Sequence, residues 1–183
     1  MVPVKTENFY LKEIESDDIE NIFKGLSNHE ITRYYDVHFS SLKETEEQMK
    51  WYRELKEEGT GIWWGIYQES DDEFCGAAGF NGRLAEHKKA EIGMWLLTEH
   101  WGKGILPEIL TALFEYGFEK LDLNRIEGLV DHENSKCKRA LEKIHFVHEG
   151  TLREYEIKDG RNVDLDVYAI LKKDWKLIKN DKS

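Results

Sequence analysis

The sequence predicts an α+β fold in which one mixed β-sheet is flanked by helices. Helical patterns come first, a hairpin meander follows, and the second half alternates strand and helix before a final hairpin. At 183 residues the chain is long enough for one well-packed domain and too short for two ordinary ones. We therefore expect a single domain over residues 1–175 and a polar tail over residues 176–183 that frays.

The first elements are predicted from capping signals. A strand over residues 8–14 precedes an acidic cap at residues 16–18, which begins a helix that ends near Leu26. Residues 28–35 are expected to continue as a short helix. Residues 40–44 resemble a capping box, and a third helix begins there.

The third helix is expected to stop at Gly59. Two segments that are rich in apolar residues, 61–68 and 74–80, then form a predicted hairpin. A further strand covers residues 89–97. The helix after it covers residues 107–120 and has a proline near its start, where the missing N–H costs nothing.

The last elements are a strand over residues 125–130 and a short basic helix over residues 135–144. Strands over residues 146–157 and 163–171 follow, and they are joined by a turn that contains Gly160. No linker divides the chain, which agrees with a single domain.

The formal net charge of −11 excludes a basic nucleic-acid footprint for the protein as a whole. It favours a cationic partner, such as an amine or a basic peptide, although an acidic surface that serves only solubility explains it equally well. Cys75 and Cys137 lie far apart, without the spacing of metal ligands. No leader follows Met1 and no apolar stretch approaches ~20 residues, so we expect a cytoplasmic protein with no membrane partner.

The most informative segment joins the strand over residues 89–97 to the helix over residues 107–120. An apolar run from Ile92 to Leu97 leads to Gly102-Lys103-Gly104 at the start of the helix. The first N–H groups of a helix have no internal partner, and the helix macrodipole adds positive charge there. A phosphate-bearing ligand is therefore predicted on this turn. The alternative is a helix cap that binds nothing.

Three segments resemble the GNAT superfamily of acyl-CoA-dependent N-acetyltransferases, and in particular its RimJ/RimL branch, which acetylates protein N-termini and related amines. They are AEIGMWLL, HWGKGILPE and ENSKCKRALEKIHFVHEGTLRE. The resemblance implies a mixed, mainly antiparallel sheet of six to seven strands with a splayed central strand pair. It also implies acetyl-CoA as cosubstrate and no metal.

The resemblance places the coenzyme A diphosphate on the turn that begins at Trp101. Only Gly104 matches the superfamily motif strictly, and Leu106 stands where Gly or Ala is usual. The groups that bind the diphosphate are backbone N–H donors, so the side chains at these positions do not exclude it. The implied coenzyme A ligands come from the splayed strand, the turn and the cap of the following helix: Trp95, Leu96, Leu97, Gly102, Lys103, Gly104, Ile105, Leu106 and Asn134.

Acetyl transfer requires a neutral amine, and only about one alkylamine in 2,500 is neutral at pH 7 because the pKa is ~10.4. A nearby base recovers part of that loss. The resemblance assigns this role to Glu91, which occupies the position of the superfamily's strand glutamate. An ordinary solvated charge explains a Glu at a strand start equally well.

The group that protonates the leaving thiolate is implied less directly. Many superfamily members have Tyr seven residues after the Asn134 position, where this chain has Leu141. Cys137 stands where the branch often has Ser, and a thiol near a helix N-terminus has a lowered pKa and could donate a proton. A buried structural cysteine is the alternative. Glu156 resembles an acidic residue of the RimL acceptor groove, or else is a solvated strand Glu.

Aromatic residues close to acidic ones in the N-terminal half suit a cationic acceptor. The candidates are Tyr34, Tyr35, Trp63 and Trp64. Trp63 and Trp64 must face opposite sides of a strand, so a core role explains one of them and the other is left for the acceptor groove or a dimer contact.

The predicted reaction transfers an acetyl group from acetyl-CoA to a primary amine, with a protein N-terminus, such as that of a ribosomal protein, as the leading acceptor. A polyamine or an aminoglycoside is the alternative acceptor. A non-catalytic CoA-binding module and a homodimer are further readings that the sequence leaves open.

Overall fold

The computed structural model describes residues 4–35 and 37–181, and its strands form one eight-stranded sheet. The strands are β1 (Val4–Lys5), β2 (Phe9–Glu13), β3 (Ile62–Gln68), β4 (Phe74–Leu84), β5 (Lys89–Leu96), β6 (Arg125–Asp131), β7 (Val147–Lys158) and β8 (Arg161–Leu171). The helices are α1 (Ile19–Leu26), α2 (His29–Thr32), α3 (Leu42–Glu57), α4 (Ile105–Glu119), α5 (Ser135–Lys143) and α6 (Lys172–Asp181).

The strand order is β1-β2-β3-β4-β5-β6-β8-β7, and every neighbouring pair is antiparallel except β5 and β6. The predicted α+β class and the mainly antiparallel sheet are confirmed. The strand count is higher than the predicted six to seven because of β1. This strand has two residues, which pair with Tyr10 and Leu11, and is too short to give a periodic signal.

The parallel pair β5–β6 separates after three residues. Lys89–Glu91 pairs with Arg125–Glu127, and the pairing ends there although both strands continue. Beyond this point β5 stays paired with β4 as far as Leu96, and β6 stays paired with β8. A gap therefore opens between β5 and β6, which confirms the splayed central pair.

Each face of the sheet has its own apolar core. On one face α4 and α6 cover a cluster that includes Phe80, Phe114 and Ile126. On the other face α1 and α3 cover a cluster that includes Ile22 and Trp95. Full burial of one large apolar side chain stabilises the fold by roughly 1.5–3 kcal/mol, so both faces hold the central strands firmly. The gap between β5 and β6 interrupts the sheet that separates these two cores.

The predicted capping box at the start of α3 is present. The Ser41 side chain accepts from the Glu44 N–H at 3.3 Å, and the Glu44 carboxylate accepts from the Ser40 N–H at 2.7 Å. The helix after the glycine turn begins at Ile105, two residues before the predicted start. Gly104, with φ +77°, precedes it directly.

The C-terminal tail was predicted to fray, but most of it is helical in the structure. Helix α6 continues through the expected boundary between residues 175 and 176. Trp175 packs edge-on against Phe114 with ring centroids 5.4 Å apart, and Ile178 packs against the same core. Lysines surround these two apolar residues in the sequence, which hides their three-residue spacing. Residues 182 and 183 of the predicted tail lie outside the described residues.

Candidate active site

The glycine turn lies at the surface where β5 gives way to α4. Gly102 (φ +75°) and Gly104 (φ +77°) both take left-handed backbone conformations, and the space around them is open. Lys103 lies between them and is exposed, whereas Ile105 is buried. The first N–H groups of α4 begin directly after this turn, so it has the local geometry of an anion site.

Leu106, the departure from the superfamily motif, does not crowd the turn. Its side chain packs partly against the core under α4 and lines the cavity described below. Trp101 bridges the turn to β5, since its indole N–H donates to the Leu96 carbonyl at 2.9 Å. The Lys136 ammonium lies 6.0 Å from the Trp101 ring, so the start of α5 is close to the turn.

The backbone of β5 offers different residues to the gap from those predicted. The Leu97 N–H donates to the Cys75 carbonyl at 2.8 Å, and Trp95 pairs with Ala77, so both point towards β4. The backbone N–H and C=O groups of successive strand residues point to opposite edges of the strand. The backbone groups of Met94 and Leu96 therefore face the gap. The backbones of Trp95 and Leu97 therefore point away from the gap, contrary to the prediction, whereas the backbone of Leu96 faces it.

Asn134 caps α5, and its side-chain carbonyl accepts from the Cys137 N–H at 3.1 Å. Cys137 itself lies in the first turn of α5 and faces the cavity. Burial raises the pKa of the Cys137 thiol to about 11, so the predicted lowering by the helix N-terminus is wrong. Desolvation of the thiolate is the cause, and the group is a neutral thiol at pH 7.

Glu91 lies on the cavity face of β5, at the last paired position before the strands separate. Burial, and then the nearby carboxylates of Glu127 and Glu156, raise the pKa of Glu91 to about 7, against hydrogen bonding by Asn81 and the charge of Lys89. A carboxyl group with this pKa is about half ionised at neutral pH, which suits a general base.

The negative charges of Glu127 and Glu156 are offset by different cationic side chains. Glu127 is held by Lys89 at 2.8 Å and by Arg125 at 2.7 Å. Glu156 lines the cavity, and its Oε2 lies 3.5 Å from Lys158 Nζ. The Lys158 ammonium also donates to the Tyr34 carbonyl at 3.0 Å, so it connects β7 to the segment after α2.

One cavity of about 700 Å³ joins these groups. It extends from the gap, past Glu91, to the side chains of α3 and the segment between α2 and α3. The sequence-predicted residues on its wall are Tyr34, Tyr35, Trp63, Glu91, Trp95, Leu106, Cys137 and Glu156. Asn134 and the exposed part of the turn lie outside the lining residues.

Trp63 forms part of the wall beside Glu91. It packs against Tyr52 with ring centroids 5.4 Å apart and lies across Gly93, where a Cβ would come within 2.6 Å of the indole. Trp64 is on the opposite face of the sheet, buried edge-on against Tyr116 at 5.0 Å. The predicted acceptor contact of Trp64 is therefore wrong, because a strand side chain cannot reach both faces.

Several functional positions have no signal in the sequence. Asn81 faces Glu91 only through the register of the β4–β5 ladder, and Met94 faces the gap only through the alternation of β5. Lys158 reaches the cavity wall from the edge strand β7. Each position depends on long-range pairing and not on a local motif.

Within residues 4–35 and 37–181, no group of three or more His, Cys, Asp or Glu is arranged to hold a metal ion. None of the helices in this part of the chain is long and apolar enough to cross a membrane.

The chain is similar to known proteins over most of its length. The sequence profile of the Acetyltransferase (GNAT) domain family matches residues 8–147. The uncharacterized N-acetyltransferase YoaA of Bacillus subtilis is 36% identical over 174 residues, which are 94% of this chain and 98% of that protein. The ribosomal-protein-serine acetyltransferase of Escherichia coli is 30% identical over 115 residues, 63% of each chain.

Among solved structures, the spermidine N-acetyltransferase from Vibrio cholerae in complex with CoA and spermine has a similar fold. The TM-score is 0.82 at 25% sequence identity, and the alignment covers 92% of this chain and 98% of that chain.

Proposed function

The chain belongs to the acetyltransferase (GNAT) domain family and is an acetyl-CoA-dependent N-acetyltransferase, and we propose that its acceptor is the N-terminal amine of a protein. The observation that carries the proposal is the single cavity that connects the β5–β6 gap to Glu91 and to an aromatic, acidic wall. The likeness to the ribosomal-protein-serine acetyltransferase supports this acceptor class.

In the proposed mechanism the glycine turn and the start of α4 hold the diphosphate through backbone N–H groups. The Met94 and Leu96 N–H groups, on the edge of β5 that faces the gap, donate to the amide carbonyls of the pantetheine arm as they would to an added strand. Asn134 supports the same arm from the cap of α5. These contacts direct the thioester towards Glu91.

Glu91 removes a proton from the ammonium group of the acceptor, and the resulting amine attacks the thioester carbonyl carbon. The N–C bond forms as the C–S bond breaks. The nitrogen then loses its second proton and the departing sulfur gains one, so coenzyme A leaves as the thiol. Glu156 and the aromatic wall of Tyr34 and Trp63 hold the cationic acceptor beforehand.

A polyamine is the second candidate acceptor. The cavity wall includes the carboxylates of Glu47, Asp131 and Glu156, which suit a molecule with several ammonium groups. The fold neighbour with bound spermine supports the same reading. A polyamine and a protein N-terminus differ in size, so kinetics separates them.

The test is an acceptor panel, with release of the coenzyme A thiol as the readout. It contains basic peptides with free N-termini, the same peptides with acetylated N-termini, spermidine and an aminoglycoside. We expect the highest kcat/KM for a free N-terminal peptide, and loss of that activity when its N-terminus is blocked. A higher kcat/KM for spermidine would overturn the proposed acceptor.

We also propose that the chain forms a homodimer through β7. This edge strand exposes four large apolar side chains, Val147 at 59%, Leu152 at 36%, Tyr155 at 55% and Ile157 at 70%. An edge with exposed apolar side chains favours pairing with a second copy. Sedimentation of the wild type and of Ile157→Glu tests this, and a wild type that stays monomeric at micromolar concentration would overturn it.

A further inference from the structure

The Tyr35 hydroxyl lies at the β5–β6 gap, away from the acceptor wall to which the sequence assigns it. Tyr35 belongs to the segment between α2 and α3, and its hydroxyl donates a hydrogen bond to the Met94 carbonyl on the free edge of β5. The residue as a whole is 37% exposed, but its hydroxyl end points inwards. The segment thus brings a phenol into the gap from outside the sheet.

The surroundings of this hydroxyl keep it protonated. Burial, and then the proximity of Cys137 and Tyr52, raise the pKa of Tyr35 well above its usual value, so the hydroxyl keeps its proton at any physiological pH. Cys137 approaches from α5 on the other side of the gap. A thioester between the glycine turn and Glu91 must pass this point.

The chain lacks the tyrosine that the superfamily often has on α5, since Leu141 is at that position and is buried in the core. A phenol from a different element occupies the gap instead. We propose that Tyr35 is a catalytic residue that donates its hydroxyl proton to the coenzyme A sulfur as the thioester breaks.

The proton balance of this step closes. As the amine nitrogen bonds to the carbonyl carbon, the C–S electron pair passes to sulfur, and sulfur takes the proton of the Tyr35 hydroxyl. Glu91 takes the first proton of the ammonium group before the attack and releases it to solvent. The nitrogen loses its second proton as the amide forms, and this proton passes through solvent to the Tyr35 phenolate, so one proton is released in each cycle. The inference rests on the proposed path of the thioester through the gap and is independent of the identity of the acceptor.

The decisive variant is Tyr35→Phe, which keeps the ring and removes only the hydroxyl. We expect kcat to fall about 100-fold, as is usual for loss of a general acid. The Kd for acetyl-CoA, measured by calorimetry, should change less than threefold. Tyr10→Phe, on β2, where the hydroxyl bonds Asp72 at the surface, is the matched control and should keep the wild-type kcat.

A purely structural role would give a different pattern. If Tyr35 only anchors its segment to Met94, the Phe variant should raise the Kd for acetyl-CoA or the KM for the acceptor and leave kcat within threefold. That result overturns the proposal.

Chemical rescue gives a second test. Added phenol should restore at least tenfold activity to Tyr35→Ala and none to Tyr35→Phe, and failure of rescue together with an intact kcat in the Phe variant would exclude a proton donor at this position. The assay uses whichever amine the acceptor panel identifies. A wrong acceptor class therefore changes the substrate, whereas a wrong assignment of Tyr35 changes only the variant kinetics.

Discussion

Asn81 of β4 and Glu91 of β5 face each other in the antiparallel ladder, and the Asn81 side chain hydrogen-bonds to the Glu91 carboxylate. This bond favours the ionised carboxylate, whereas burial and the nearby Glu127 and Glu156 disfavour it. The balance leaves Glu91 with a pKa of about 7. The base of the proposed mechanism is therefore tuned by two neighbouring strands and by β7.

Activity should depend on the ionisation of Glu91. Because a base acts only when deprotonated, kcat/KM should rise with pH through a midpoint near 7, the pKa of Glu91. Glu91→Gln should lower kcat by roughly 10²- to 10⁴-fold and abolish this dependence. Thiol release across pH 5–9 measures both effects, and calorimetry checks that acetyl-CoA still binds. A variant that retains more than half of the wild-type kcat would exclude Glu91 as the base.

Asn81 should set the position of that midpoint. Asn81→Ala removes a hydrogen bond that favours the carboxylate, so the midpoint should move to higher pH by about one unit. The rate should then be low at pH 7 and approach the wild-type rate at pH 9. Asn162→Ala, at the exposed start of β8, is the matched control.

Glu156→Gln should move the midpoint in the opposite direction. The negative charge of Glu156 raises the pKa of Glu91, so its removal should shift the acidic limb to lower pH. The measurement is the same pH profile as for Asn81→Ala. Equal shifts in both variants would mean that the profile reports some group other than Glu91.

The raised pKa of Glu91 also affects stability. Folding disfavours the ionised carboxylate, so the stability that goes with the neutral form is fully present below the unfolded pKa, near 4.5, and is lost as pH rises through about 7. Glu91→Gln should therefore raise Tm by a few degrees at pH 8 and leave it unchanged at pH 4. Differential scanning calorimetry at the two pH values tests this, and an equal change at both would mean that ionisation is not the cause.

The sequence predicts those parts of the site that depend on local signals. The glycine turn, the cap at Asn134 and the position of Glu91 on its strand follow from short motifs. Trp63 and Trp64 alternate along a strand, but only the packing of α3 and α4 decides which of them reaches the cavity. The orientation of Tyr35 likewise depends on contacts made far along the chain.

The pKa of Cys137 shows most clearly what the sequence alone cannot predict. The position at a helix N-terminus is visible in the sequence and predicts a lowered pKa. Burial depends on the surrounding strands and raises it instead. The effect of a helix N-terminus on a nearby pKa can therefore be predicted from the sequence. The desolvation of a side chain can be predicted only once the fold is known.

Asp166 should anchor the helix that carries Cys137 and Asn134. This buried carboxylate of β8 accepts from Thr151 Oγ1 at 2.6 Å and from Lys138 Nζ of α5 at 3.0 Å. Burial alone would raise the pKa of Asp166, but the hydrogen bonds from Thr151, His132 and Lys138 hold it well below its usual value. The ionised form is thus a component of the folded state.

Asp166→Asn should lower the free energy of unfolding by about 3 kcal/mol at pH 7, because it leaves the partly buried Lys138 side chain without its counter-charge. A group with a depressed folded pKa stabilises the fold above its unfolded pKa, about 3.9, and this contribution is lost as pH falls below that value. The difference from wild type in urea unfolding should therefore shrink below pH 4. The same variant should weaken acetyl-CoA binding if α5 is displaced with its anchor, whereas Asp159→Asn in the exposed β7–β8 turn should change neither quantity. A destabilisation of equal size at pH 7 and pH 3 would mean that Asp166 acts through packing and not through its charge.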